Sequence, residues 1–219
     1  MKALMAALWW SLVAVPAQAC ELALALAVDV SGSVDPSEYS IQMSGLAEGL
    51  RDGIVAEALV REEAQVMLMQ WSGSSRQVVS LPWRQLRSFE DVERLAQDIE
   101  NTPRAWRNFS TAIGEALVLL DREMGRPRCA RLVIDISGDG PSNEGIAPRD
   151  VHARLKRRGV TVNALVIEGN GDDLTSYFWE NVIMGEGAFV VTANGFDDYP
   201  ERIRKKLIRE VVLQMTELR

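Results

Sequence analysis

A single histidine, His152, is all the imidazole that this sequence offers, and lysine is nearly as scarce: after Lys2 only Lys156, Lys205 and Lys206 occur. A Ser-His-Asp relay or a multi-histidine zinc centre is hard to build from that supply, and His152 itself reads as a solvated helix residue. Positive charge is in deficit as well. With a net charge of −7 and a pI near 4.9 the chain has no electropositive field for capturing phosphates, so no nucleic acid is expected as a partner. Long apolar runs are missing after the first fifteen residues, and no later segment reads as a membrane span.

What is present is an apolar content of 47% in 219 residues, enough for one well-buried globular domain. Residues 1–19 combine Lys2, an apolar run from Ala3 to Val15 and the small-residue site Ala17-Gln18-Ala19. That pattern is a secretory signal peptide. Cleavage before Cys20 leaves a domain of residues 20–219 in the periplasm or outside a bacterial cell. A retained anchor is the competing reading, for which the run is short. Lipidation of Cys20 is another, although Ala17 stands where lipoprotein signals usually have Leu.

Runs rich in Val, Ile, Leu and Met at 22–28, 65–71, 77–81, 131–136, 160–167 and 188–191 predict six strands. Helix-length amphipathic segments at 36–51, 89–100, 110–124, 148–158, 174–183 and 198–218 lie between most of them. Strands such as "LALALAV" and "RLVIDI" are apolar throughout, as when helices cover both faces of a parallel sheet. The expected fold is therefore α/β, a doubly wound, mostly parallel six-stranded sheet. One antiparallel edge strand is expected, because "SGSSR" between the second and third runs is too short for a parallel crossover.

The first strand runs straight into Asp29, Ser31 and Ser33, oxygen-bearing side chains at alternate positions. In an open α/β sheet, ligands bind beyond the carboxyl ends of the strands, which is where Asp29 falls. Taken alone, Ser31, Ser33 or Asp35 equally well caps the helix beginning near Pro36, with Asp35 and Glu38 as its N-terminal acids. Thr111, opening an apolar helix, reads alone as a helix-entry residue, and Asp139, in "SGDG" after the fourth strand, as a turn residue. Asp135, inside that strand, has no assigned role.

Together, Asp29-Val30-Ser31-Gly32-Ser33, Thr111 and Asp139 resemble the von Willebrand factor A (vWA) domain and its metal-ion-dependent adhesion site, MIDAS. The resemblance extends over the chain from about residue 21. It is nearest to the small secreted bacterial vWA-like proteins of unknown function, DUF1194, with their "VDVSGSV" and "SGDG" segments. It implies Mg²⁺ or Mn²⁺ touched by Ser31, Ser33 and Thr111, with Asp29 and Asp139 acting mainly through water. Hard divalent cations take oxygen ligands, and neutral hydroxyls leave such an ion net positive. An open coordination position then accepts a carboxylate from a protein partner. The glycines of both segments, Gly32, Gly138 and Gly140, are expected to let the backbone turn sharply.

Two other readings stand beside this one. A phosphohydrolase with Asp29 as nucleophile would need a carboxylate two residues on, where Ser31 stands, and a positioned lysine, of which none is near in sequence. A structural subunit of an envelope assembly would keep the site for stability alone. In "NTPRAWRNF", Trp106 and Phe109 beside Thr111 are candidate partner contacts, with burial inside the loop as the alternative. Finally, Cys20 precedes Asp29 by nine residues and Cys129 precedes Asp139 by ten. If those strands are parallel neighbours, the cysteines meet at the opposite edge, and an oxidising compartment bridges them.

Overall fold

The apolar run after Cys20 becomes the centre of the sheet. In this computed structural model, which describes residues 20–169 and 173–212, β1 (Leu22–Asp29) is buried at every position. It pairs in parallel with β2 (Gln65–Trp71) on one side and β4 (Arg131–Gly138) on the other. A second hairpin strand, β3 (Gln77–Gln85), lies antiparallel on β2, while β5 (Val160–Glu168) and β6 (Val190–Asn194) extend the sheet in parallel beyond β4. The order is β3-β2-β1-β4-β5-β6. The reversal of winding falls between β1 and β4, so the crevice beyond their carboxyl ends is the place for a ligand.

Both faces are covered, because successive β1 side chains point to opposite sides. Leu22, Leu24, Leu26 and Val28 pack under α1 (Pro36–Arg51), α2 (Gly53–Arg61), α3 (Phe89–Glu100) and α7 (Tyr199–Val212). Ala25 and Ala27 face α4 (Ile113–Glu123), α5 (Pro148–Arg157) and α6 (Leu174–Asn181). Helices α1 and α7 approach closely because α1 presents glycines. A Cβ on Gly45 would lie 3.0–3.2 Å from Pro200, and one on Gly49 would lie 3.0 Å from Leu207.

The expected segments 1–19 and 213–218 lie outside the described residues. Elsewhere some boundaries differ. Helix α2 was not expected: directly after α1 the Asp52 carboxylate accepts from Ile54 N and Val55 N and starts a new helix. Strand β3 runs past 81 through Pro82, which an edge strand tolerates. Helix α4 starts at Ile113 rather than 110, and β6 runs to Asn194, its last three residues too polar or small to extend an apolar run. His152 is half-buried, its Nε2 3.2 Å from the Val182 carbonyl, and burial pulls its pKa down.

Register explains the disulfide. Leu22 pairs with Arg131, so two residues back Cys20 faces Cys129, and the two are bonded with Cα atoms 4.6 Å apart. Among the described residues no helix is long and apolar enough to cross a membrane.

Candidate metal centre

Three segments converge at the carboxyl end of the β1–β4 seam. Asp29 ends β1, fully buried, and its Oδ1 accepts from Ser31 N at 2.7 Å, which folds the chain back over the strand end. Ser31 Oγ then lies 3.2 Å from Ser33 Oγ, and Ser33 Oγ donates to Asp139 Oδ1 at 2.7 Å. Ser31 is buried, whereas Ser33 is exposed, so the cluster is closed below and open to solvent above. Neither serine caps α1. That role belongs to Asp35, whose Oδ1 accepts from Ser37 N and Glu38 N, while Glu38 Oε2 accepts from Asp35 N.

Thr111, only 5% exposed, sits in the loop before α4. Its N–H donates to Asn143 Oδ1 at 3.0 Å, its carbonyl accepts from Asn143 N at 2.9 Å, and its hydroxyl borders Gly140. Ser142, one residue away, supplies the N-terminal acceptor that α4 lacks: its Oγ accepts from Ile113 N at 3.2 Å. The loop after β4 therefore fixes Thr111 beside Asp139. The glycines act by space rather than by turning. Gly32 and Gly138 do not have positive φ, but a Cβ on Gly138 would lie 3.3 Å from Asp29 Oδ2 and 3.2 Å from Phe178.

Two residues that the sequence did not single out hold the first loop. Gln42, buried on α1, donates from Nε2 to the Asp29 carbonyl at 3.1 Å. Arg104 donates to the carbonyls of Val30 at 3.0 Å and Ser31 at 2.7 Å, so its guanidinium braces the loop from behind. Of the aromatic pair, Trp106 is half-buried against the α1-side core. Phe109 is 40% exposed, with Arg76 4.6 Å from its ring centroid. Only Phe109 offers a surface at the rim.

Electrostatically the site is unbalanced. Burial, and then the Asp139 carboxylate, push Asp29 up to about 7, and burial also raises Asp139. Among the described residues neither carboxylate has a lysine or arginine in direct contact, but the Arg104 guanidinium behind the loop acts on both through space and pulls Asp139 down. Asp29 Oδ2 is buried without a hydrogen-bond partner. No three His, Cys, Asp or Glu side chains gather among the described residues as a metal site; here two carboxylates are supplemented by three hydroxyls. A buried carboxylate with an unpartnered oxygen beside a second one, with hydroxyl oxygens around them, is a donor set that fits a hard divalent cation.

This sheet order gives a vWA-like α/β fold, and solved structures share it. Proximal thread matrix protein 1 from the mussel byssus, with a zinc-occupied MIDAS motif, matches at TM-score 0.67 and 19% identity, over 88% of this chain and 46% of that one. The von Willebrand factor type A structure from Catenulispora acidiphila gives 0.63 and 15%, over 88% and 43%. The pilus adhesin SpaC from Lactobacillus rhamnosus GG gives 0.63 and 13%, over 89% and 31%. The chain thus spans less than half the length of these proteins, and at such identities the likeness is one of fold. The chain belongs to the family described as "Protein of unknown function (DUF1194)", whose sequence profile matches residues 19–215. No curated protein sequence matches it significantly.

Proposed function

We propose that this domain binds Mg²⁺ or Mn²⁺ through Asp29, Ser31, Ser33, Thr111 and Asp139, and there holds a carboxylate of a protein partner. The partner is met in the periplasm or outside the cell, after loss of residues 1–19. The observation that carries the reading is Asp29 Oδ2, buried without a hydrogen-bond partner next to a second carboxylate. A divalent ion would supply the missing positive charge and, with few charged ligands, keep enough of it to attract an acidic group. The exposed position of Ser33 leaves that side accessible. Binding rather than hydrolysis is favoured because Ser31 occupies the place of a second acid and no lysine adjoins the cluster. The zinc-occupied MIDAS of the mussel protein and the adhesive role named for SpaC support the same reading by analogy.

Calorimetric titration of the chain from Cys20 onward with MgCl₂ and MnCl₂ tests the first half. Saturable heat in the wild type that is lost in Asp139→Ala supports it, and no heat in the wild type refutes it. Retention of an envelope protein on the immobilised domain in Mg²⁺, with release by EDTA, tests the second.

A further inference from the structure

A second pair of carboxylates lies deeper in the molecule, where α7 meets the sheet. Lys206 on α7 is fully buried, and its Nζ is 2.6 Å from Asp135 Oδ1 of β4 and 2.6 Å from Glu210 Oε1 one turn further along α7. Asn163 of β5 donates from Nδ2 to Glu210 Oε1 at 3.1 Å and accepts from Phe189 N at 3.0 Å. Asp135 is 3% exposed and Glu210 1%. One oxygen on each carboxyl group, Asp135 Oδ2 and Glu210 Oε2, has no hydrogen-bond partner.

We propose that Asp135, Lys206 and Glu210 form a proton-holding clamp: Glu210 keeps a proton in mildly acidic solution, and its loss toward neutral pH loosens the C-terminal half of α7 from the sheet. The count of charges is the reason. One ammonium facing two carboxylates leaves a net negative charge in a dry core, an expensive state that a single proton removes. Among the described residues the ion pairs of the two carboxyl groups run to Lys206. From β4, Arg131 donates to the Glu210 backbone carbonyl at 3.4 Å and to Glu62 at 2.9 Å. Arg209 lies over the Phe189 ring, 3.8 Å from its centroid. Tyr199, at the start of α7, is fully buried, and burial, with Asp135 nearby, raises its pKa, so it stays neutral.

The direction of the effect follows from Glu210, which burial and then the Asp135 carboxylate raise from 4.5 to about 7. Between those values the closed clamp holds a proton that a released Glu210 has already lost. Opening is therefore favoured as pH rises through that window, by up to about tenfold per pH unit, and levels off above it.

Hydrogen exchange across α7 between pH 5 and 7.5, corrected for intrinsic exchange rates, tests the clamp on the chain from Cys20 onward. The opening constant of α7 in the wild type should rise at least tenfold over this range, while that of Glu210→Gln, which keeps the amide contacts but cannot ionise, should stay flat. A ¹³C carboxyl titration of Glu210 in the wild type should show a midpoint near 7, and it remains decisive if the variant does not fold. A wild-type α7 with constant opening, a variant that keeps the full wild-type slope, or a Glu210 carboxyl that titrates at its ordinary value would each overturn the proposal.

Discussion

Two places in this domain bring a pair of carboxylates together, and they solve the problem differently. At the α7 contact, Asp135 and Glu210 receive Lys206 from the chain itself. At the end of the β1–β4 seam, Asp29 and Asp139 are met directly by hydroxyls and backbone N–H groups, with the Arg104 guanidinium acting only from behind the loop. The first arrangement fastens a helix and has no access to solvent. The second opens to solvent and has no cation in contact with it, which is where the proposed reading puts an outside one. A buried acid pair with its own cation is structural, and one without is a vacancy of charge that a ligand can fill.

The comparison breaks most visibly at Lys206. Lys206→Met should cost about 3–5 kcal/mol in urea unfolding, since it strands two buried carboxyl groups. Asp29→Asn in EDTA should cost far less, or even stabilise, because it removes an uncompensated charge. Equal losses in the two variants would abolish the distinction.

Metal should act at one place only. At a concentration one hundred times its dissociation constant, Mg²⁺ should stabilise the wild type by about 2.7 kcal/mol, an effect read as a raised thermal midpoint. It should stabilise Lys206→Met equally and Asp139→Ala not at all.

A smaller effect comes from pH. With EDTA present, Asp29 keeps its proton in the folded state up to about 7 against an ordinary value of 3.8. The stability this lends is complete below about 4 and declines as pH rises toward 7, with a slope of at most about 1.4 kcal/mol per pH unit. Glu210 contributes in the same direction, so Asp29→Asn should remove one part of the slope and Glu210→Gln the other. Saturating Mg²⁺ should reverse the Asp29 part, because the ion binds the ionised carboxylate.

The least costly change is Ser33→Ala, which removes an exposed hydrogen bond to Asp139. A loss of about 0.5–1.5 kcal/mol in EDTA is expected, with a drop in Mg²⁺ affinity measured by calorimetry.

The seam was legible in the sequence because an apolar strand that stops at Asp29, and another that stops at "SGDG", announce their own ends. The fold followed from the same runs. Strand β3 was underestimated because Pro82 interrupts its pattern, and α2 was hidden by Asp52-Gly53. The clamp was harder to read. Asp135 stood out as an acid inside a buried strand, but its partner lies far along the chain. A pointer did exist: Lys206 falls on the apolar stripe of Tyr199, Ile203, Leu207 and Val211, whereas Lys205 does not. Gln42 likewise sits among buried α1 residues. Arg104 gave no such hint, since its role depends on where a loop folds over the strand ends.

The seam between β1 and β4 also has a consequence in time. Cys20 and Cys129 are 109 residues apart, so at about 5–20 residues per second roughly 5–20 s separate the synthesis of the central strand from that of its second neighbour. Throughout that interval "LALALAV" has an unpaired edge, and the half-sheet of β1, β2 and β3 has nothing to close it. Such an edge invites pairing with other chains. That edge of β1 is covered only when β4 joins it, and the Cys20–Cys129 bond, lying across the same seam, can form only once the two strands are side by side.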